Sequence, residues 1–294
     1  MQQELNDFMD EQKIAIEQEL HYRLTNLDIP ERLKDSMLYS VEAGGKRLRP
    51  VLLLAAHRAY SHGSDAPFGP AIALEMVHTY SLIHDDLPAM DNDDVRRGQS
   101  TNHKKYDEAT AILAGDALLT YSFEMIAGDP GLTDNQKASI TTSFTQASGP
   151  KGMVAGQILD MKAEDREITL DELEHIHILK TGALLRFAVS TGAYLGGADS
   201  GQIRHLDTFA YYLGLIFQVQ DDILDVTGEA EKLGKPVGSD AVNDKNTYPK
   251  ILGLDGAIRK KFDYVKQAKE ALNQAGAKST YLSMLTDYFS TRDY

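Results

Sequence analysis

Apolar residues recur at helical spacing along almost the whole chain, and this periodicity limits the fold more than any other feature. The alternating Val, Ile and Thr runs that mark strands are almost absent. The spacing predicts helices near residues 5–24, 31–43, 50–62, 68–87, 108–127, 134–148, 152–163, 171–195, 202–227, 247–274 and 278–291. Start signals agree with these limits. Thr169 with Glu172 three residues on forms a capping box, and Pro30 and Pro50 stand where a missing N–H costs nothing. With no repeat and no low-complexity linker in its 294 residues, the chain reads as one all-α domain spanning 1–294.

Composition narrows the function classes. Hydrophobic residues at 42% and charged residues at 25% describe a globular chain. The absence of cysteine excludes disulfides and thiolate metal sites and fits a reducing cytoplasm. The acidic, polar opening "MQQELNDFMDEQKIAIEQEL" is the reverse of a leader, and no apolar run reaches the roughly 18–20 residues of a bilayer span. A net charge of -14 argues against nucleic acid, whose phosphates need a basic surface.

Against that acidic background, carboxylates still crowd into two stretches. The first, "SLIHDDLPAMDNDDVRRG", places Asp85 and Asp86 at the end of an apolar run and Asp91 six residues after Asp85. Six helical residues turn through about 240°, so a regular helix would point Asp91 away. Pro88 ends or distorts the helix and lets the chain bring Asp91 back toward Asp85. The second, "FQVQDDILDV", puts Asp221 and Asp225 four residues apart on one face, about 40° from one another, with Gln218 on the same stripe and Asp222 adjacent. Carboxylates on an otherwise apolar helix are costly unless a cation compensates them. Ligands that are nearly all oxygen favour a hard cation, Mg2+ before Ca2+, and His84 points elsewhere and makes a poor co-ligand. Since Mg2+ uses few carboxylates and completes its shell with water and phosphate, two such clusters suggest a diphosphate held by several Mg2+ ions.

Cations stand at selected points. "GGKRLRP" carries Lys46, Arg47 and Arg49, with a double glycine that by itself marks a helix end; Arg96 and Arg97 follow the first acidic cluster. Lys180 and Thr181 interrupt the helix "HIHILKTGALLRF", and Lys235 and Lys245 lie in the long polar segment from Gly228 to Asn246, which has the length of a functional lid. Together they supply positive charge for a second diphosphate that needs no metal, with Arg suited to paired oxygens and Lys to a point charge.

In order, "GGKRLRP", "HTYSLIHDDLPAMDNDDVRRG", "AILAGDALL", "KTGALLRF", "FQVQDDILDV" and "LGKPVGSDAVNDKNTYP" resemble the signatures of the trans-isoprenyl diphosphate synthases, most closely the bacterial farnesyl type. The resemblance implies an antiparallel helical barrel around a deep central cavity, usually a homodimer, with the two aspartate motifs facing each other across its mouth. It implies two or three Mg2+ held by Asp85, Asp86 and Asp91 from one motif and Asp221, Asp222 and Asp225 from the other. Arg96, Lys180, Thr181, Gln218 and Lys235 would contact an allylic diphosphate, dimethylallyl or geranyl; Lys46, Arg49, His78 and Arg97 would hold isopentenyl diphosphate. Asp85, Asp86, Lys180, Asp221 and Lys235 would carry catalysis. Tyr80 and Ser81, five and four residues before Asp85, occupy the positions that set product length in the family, and here they match the C15 pattern. A geranylgeranyl (C20) synthase is the nearest rival, followed by a non-catalytic synthase subunit, which is expected to lose an aspartate motif. A terpene cyclase should replace "DDILD" with an Asn/Ser/Glu-type motif. The ending "FSTRDY" departs from the basic tail common in relatives, leaving Arg292 as its cation.

Overall fold

The computed structural model describes residues 2–61, 68–164, 166–228, 245–277 and 280–292. The described residues of Asn6–Leu54 and Pro67–Thr141 form one compact unit, and those of Met1–Leu5, Ala55–Ala66 and Thr142–Tyr294 form a second. Both are helical; the described strands are confined to one hairpin of two-residue strands, β1 (Val95–Arg96) and β2 (Gln99–Ser100), paired antiparallel with Arg96 opposite Gln99.

The first unit holds most of α1 (Gln2–Thr25), α2 (Glu31–Glu42), α4 (Phe68–Asp85), the short α5 (Asn102–Lys105) and α6 (Glu108–Ala127). Helix α3 (Leu48–Tyr60) begins in this unit, with Pro50 in its first turn, and Pro30 is the N-cap of α2. Helix α4 is apolar on nearly every side, and Pro70 through Val77, Thr79, Tyr80 and Ile83 are all buried. Such a helix is stable only inside a core. It packs on α6 and α2. At Gly115 of α6 a Cβ would overlap the imidazole of His84, so the glycine of "AILAGDALL" is space for that ring. His84 completes the fit with a 3.1 Å hydrogen bond to the Ile112 carbonyl.

The second unit comprises α8 (Met153–Ala163), α9 (Leu170–His177), α10 (Ala183–Gly196), α11 (Ser200–Thr227), α12 (Tyr248–Leu252), α13 (Leu254–Gln274) and α14 (Thr280–Thr291), with the end of α7 (Asp134–Ser148). Helix α11 lies at its centre, against α10, α13 and α14. The capping box predicted at Thr169 is present, and Asp199 with Gln202 makes a second one that starts α11. The expected continuous helix over 171–195 is instead α9 and α10 joined by one π-helical turn, Ile178–Gly182. The helix expected over 247–274 breaks at Gly253, whose φ of 70° suits a residue without a Cβ. No described helix is long and apolar enough to cross a membrane.

Candidate active site

Helix α4 delivers the first aspartate cluster to its own C-terminus. Pro88 has no N–H, so the helix stops at Asp85, and the Asp91 N–H returns to the Asp85 carbonyl at 2.8 Å. This is the return predicted from Pro88. The cluster is not uniform. Asp85 is half-buried and Asp91 exposed, whereas Asp86 retains 3% of its surface and takes a 2.6 Å hydrogen bond from Arg96 Nε. Burial pushes the Asp86 carboxyl up to about 6, with the Arg96 charge and hydrogen bond opposing.

The β1–β2 turn places both arginines. Arg97 and Gly98 have φ of 53° and 76°, the left-handed pair that a two-residue hairpin turn requires. Arg96 thereby faces Asp86 and Asp93, while the Arg97 guanidinium donates to the Gly44 carbonyl. A Cβ on Gly45 would lie 2.7 Å from Arg97 Cζ, and Gly45 has φ 127°. The double glycine follows the end of α2 at Glu42, as a helix end should, and it also seats Arg97.

Next along that loop, Lys46 is half-buried, and Arg47 is buried and paired with Glu75 at 2.7 Å and Glu17 at 3.2 Å. The pair with Glu75 fixes the loop to α4. Arg49 differs: its Nε is buried without a hydrogen-bond partner among the described residues. Burial first, and repulsion from Arg97 second, push the Arg49 guanidinium down to about 10 against the attraction of Glu75. His78, one turn from Leu82 and Ile83 on α4, is held neutral by burial and by Arg49, Arg97, Arg47 and Arg96. The structure thus brings His78, Arg49 and Arg97 together. Ser81 closes onto the His78 carbonyl at 2.9 Å, and the buried Tyr80 ring stands edge-on to His84, centroids 5.5 Å apart.

Asp221 and Asp222 of the second cluster line a cleft of about 240 Å³ within their own unit, together with Asp160, His177, Lys180, Thr181 and Gln218. Lys180 and Thr181 occupy the π turn, a widened turn that often marks functional positions and the physical form of the predicted interruption. Two glycines make room for it. A Cβ on Gly156 of α8 would overlap the Lys180 backbone, and one on Gly214 of α11 would lie 3.0 Å from Gly182 Cα. The Lys180 ammonium reaches Asp160 at 2.6 Å, and the Thr181 hydroxyl donates to Gln218 Oε1 at 2.9 Å.

In α11 the adjacent aspartates diverge. Asp221 keeps 47% of its side-chain surface, with one oxygen 3.1 Å from Arg292 Nη2. Asp222 is buried, and its Oδ2 accepts the Tyr248 N–H at 2.8 Å, tying the start of α12 to α11. Asp225 is buried. Lys235 and most of the proposed lid lie outside the described residues, as do Asp293 and Tyr294. At the far end of that segment, Asn246 donates to the carbonyls of Ala163 and Arg166 at 2.6 and 2.9 Å.

Two cleft residues were missed by sequence reasoning. Asp160 lies in "GQILD", four residues after Gly156, and the signal available was a carboxylate on the helix face that meets the Lys180 turn. His177 precedes Lys180 by three residues; it is buried, its Nδ1 has no hydrogen-bond partner among the described residues, and burial with help from Lys180 pushes it down to about 4 against Asp160 and Asp221.

The donor set is made of carboxylate oxygens, which suits a hard divalent cation. Among the described residues no three His, Asp or Glu side chains converge closely enough to hold an ion unaided. That arrangement fits a metal that takes one or two carboxylates and completes its shell with water and phosphate.

Comparisons with known proteins agree with this chemistry. The family model described as polyprenyl synthetase matches residues 30–284. The chain is 48% identical over 292 residues to a farnesyl diphosphate synthase of Geobacillus stearothermophilus, covering 99% of this chain and 98% of that one. It is 46% identical to the farnesyl diphosphate synthase of Bacillus subtilis strain 168, over 100% of both chains. Among solved structures, an apo FPP/GFPP synthase from Zymomonas mobilis matches with a TM-score of 0.88 and 34% identity, over 99% of this chain and 100% of that one. The chain belongs to the polyprenyl synthetase family.

Proposed function

We propose that this chain is a Mg2+-dependent prenyltransferase that condenses isopentenyl diphosphate with dimethylallyl and then geranyl diphosphate, giving (2E,6E)-farnesyl diphosphate. The observation that carries the reading is Arg49, whose buried Nε has no hydrogen-bond partner among the described residues, beside Arg97 and a neutral His78. A buried cation edge without an acceptor is costly in the free protein and is met by an anion. In this reading Arg49, Arg97, Lys46 and His78 receive the isopentenyl diphosphate directly, without metal.

The allylic diphosphate falls to Arg96, Lys180, Thr181, Gln218 and Lys235, with Asp85, Asp91 and Asp221 as metal-binding carboxylates. Asp86, Asp222 and Asp225, all buried, support them. When bound, Mg2+ supplies Lewis-acid charge for the departing pyrophosphate. Lys180 releases Asp160 and turns its ammonium to the bridging oxygen as the allylic carbon–oxygen bond breaks and its electrons leave with pyrophosphate. Thr181 and Gln218, already bonded to each other, orient the phosphate end. The isopentenyl double bond, held by the guanidiniums, supplies the pair that forms the new carbon–carbon bond, and pyrophosphate accepts the proton that is lost. No protein nucleophile is required. Water exclusion falls to the segment around Lys235.

Both units work as one catalytic domain in the cytoplasm and, as the family implies, in a homodimer. Tyr80 sets the product length by its buried ring on α4. Tyr80→Ala is expected to lengthen the product toward C20; unchanged C15 output would remove Tyr80 from that role. The activity is tested with labelled isopentenyl diphosphate, geranyl diphosphate and Mg2+, separating the dephosphorylated alcohols. Farnesol is the expected product. Geranylgeraniol as the main product would reassign the chain length, and no condensation would contradict the reading.

A further inference from the structure

Just past the end of α14 the chain reaches the second aspartate cluster through Arg292, a residue that the mechanism above does not use. The Arg292 side chain is 5% exposed, and its Nη2 contacts both Asp221 Oδ1 at 3.1 Å and the Phe217 carbonyl at 3.2 Å. Its guanidinium carbon lies 4.3 Å from the Phe217 ring centroid, a close cation–π distance. The Arg292 backbone is fixed as well. Its N–H donates to the Tyr288 carbonyl at 2.9 Å, and its carbonyl accepts from Gln220 Nε2 at 2.7 Å. Gln220 Oε1 in turn accepts from Lys261 Nζ at 2.7 Å, and Lys261 also holds the Ser290 carbonyl at 2.9 Å. Residues 217, 220 and 221 of α11 are therefore gripped from one side by the C-terminal helix, with α13 supplying Lys261.

We infer that Arg292 is the positioning residue of Asp221: it holds Oδ1 and leaves Oδ2 directed for a divalent cation. This rests on the reading of Asp221 as a metal-binding carboxylate. The argument is one of freedom and charge. An aspartate at 47% exposure would otherwise sample several rotamers, each of which must be given up when an ion binds. A guanidinium placed by a buried network removes that freedom in advance, and ligand carboxylates in metal sites are commonly held by such outer partners. The opposing effect is repulsion between Arg292 and an incoming cation. Because Arg292 is buried and fixed at both backbone and side chain, orientation outweighs repulsion.

The two effects predict opposite results, which makes the inference testable on the full chain. Binding of Mn2+ in the presence of inorganic pyrophosphate is followed by electron paramagnetic resonance for wild type, Arg292→Gln, Arg292→Lys and Asp221→Asn, with circular dichroism confirming each fold. Arg292→Gln is expected to weaken Mn2+ binding about 10–100-fold, and Arg292→Lys to recover part of it. Unchanged or tighter binding in a folded Arg292→Gln, while Asp221→Asn loses it, overturns this inference alone. Wild-type binding by Asp221→Asn overturns the metal-ligand reading and this inference with it. Should Arg292→Gln not fold, Gln220→Ala releases the Arg292 carbonyl while keeping the charge. It should weaken Mn2+ binding several-fold, and no change would overturn the inference.

Discussion

In the first aspartate cluster the buried carboxylate, Asp86, is held by a cation, Arg96, at 2.6 Å. In the second, Asp222 and Asp225 are both buried, and Asp222 accepts a backbone N–H, that of Tyr248, at 2.8 Å. Of the more exposed partners, Asp85 lies at a helix end broken by Pro88, and Asp221 lies inside α11 with Arg292 against it. Two stretches that read alike are thus supported by different physics. The first depends on a hairpin that carries both Arg96 and Arg97; the second ties the start of α12 to α11 through Asp222 and takes a cation, Arg292, on Asp221.

The comparison breaks most visibly if the buried aspartates are made neutral. Asp86→Asn removes the counter-charge that orients Arg96, and steady-state kinetics should show kcat/KM for geranyl diphosphate falling about 10–100-fold. Asp222→Asn keeps an oxygen that can accept the Tyr248 N–H, so its loss should stay within several-fold. Equal losses would mean that the two clusters are supported alike. The glycines that seat each cluster come next. Gly156→Ala forces a Cβ into the Lys180 backbone, which cannot rotate away, and should cost about 2–3 kcal/mol in denaturant unfolding. Gly115→Ala meets a side chain, His84, and should cost about 1–2 kcal/mol, because the ring can yield at the loss of its bond to Ile112.

Acid titration sharpens the contrast further, because the two sites respond with opposite sign. His177 sits at about 4 when folded, below the unfolded value near 6.5. Between those values the unfolded chain takes up a proton that the native state refuses, so stability falls as pH falls. Asp86 sits at about 6 when folded, above its unfolded value near 3.9. In that window the native state binds the proton first, so its contribution to stability rises as pH falls. Each effect is at most about 3 kcal/mol. Unfolding of the metal-free protein between pH 4 and pH 7 should lose acid sensitivity in His177→Gln and gain it in Asp86→Asn. The same slope in both variants would show that these groups do not control it.

Much of this architecture is legible in the residues. The predicted limits of α6 and α7 match the observed Glu108–Ala127 and Asp134–Ser148, because their apolar spacing and the turns around them agree. The π turn at Lys180 is visible only as an interruption, since the widening depends on Gly156 and Gly214 lying against it from other helices. The β1–β2 hairpin escapes the period-2 signal because each strand has two residues; its cue is the Arg97–Gly98 turn. The DD pairs are plain, but which carboxylate of each is buried is not. Neighbours on a helix differ by about 100°, and packing decides which one turns inward. Arg292 illustrates the same limit, as nothing near "FSTRDY" announces that its cation lies on Asp221 rather than at the end of a tail.

The proposed function has each aspartate cluster take part in Mg2+-dependent diphosphate binding. Thermal unfolding of wild type, Asp85→Asn and Asp221→Asn, each with Mg2+ alone, pyrophosphate alone and both together, tests it directly. A stabilising shift in wild type only when both are present, lost in either variant, is the predicted result, since ligands stabilise the state that binds them. A full shift that survives Asp85→Asn or Asp221→Asn would contradict the claim.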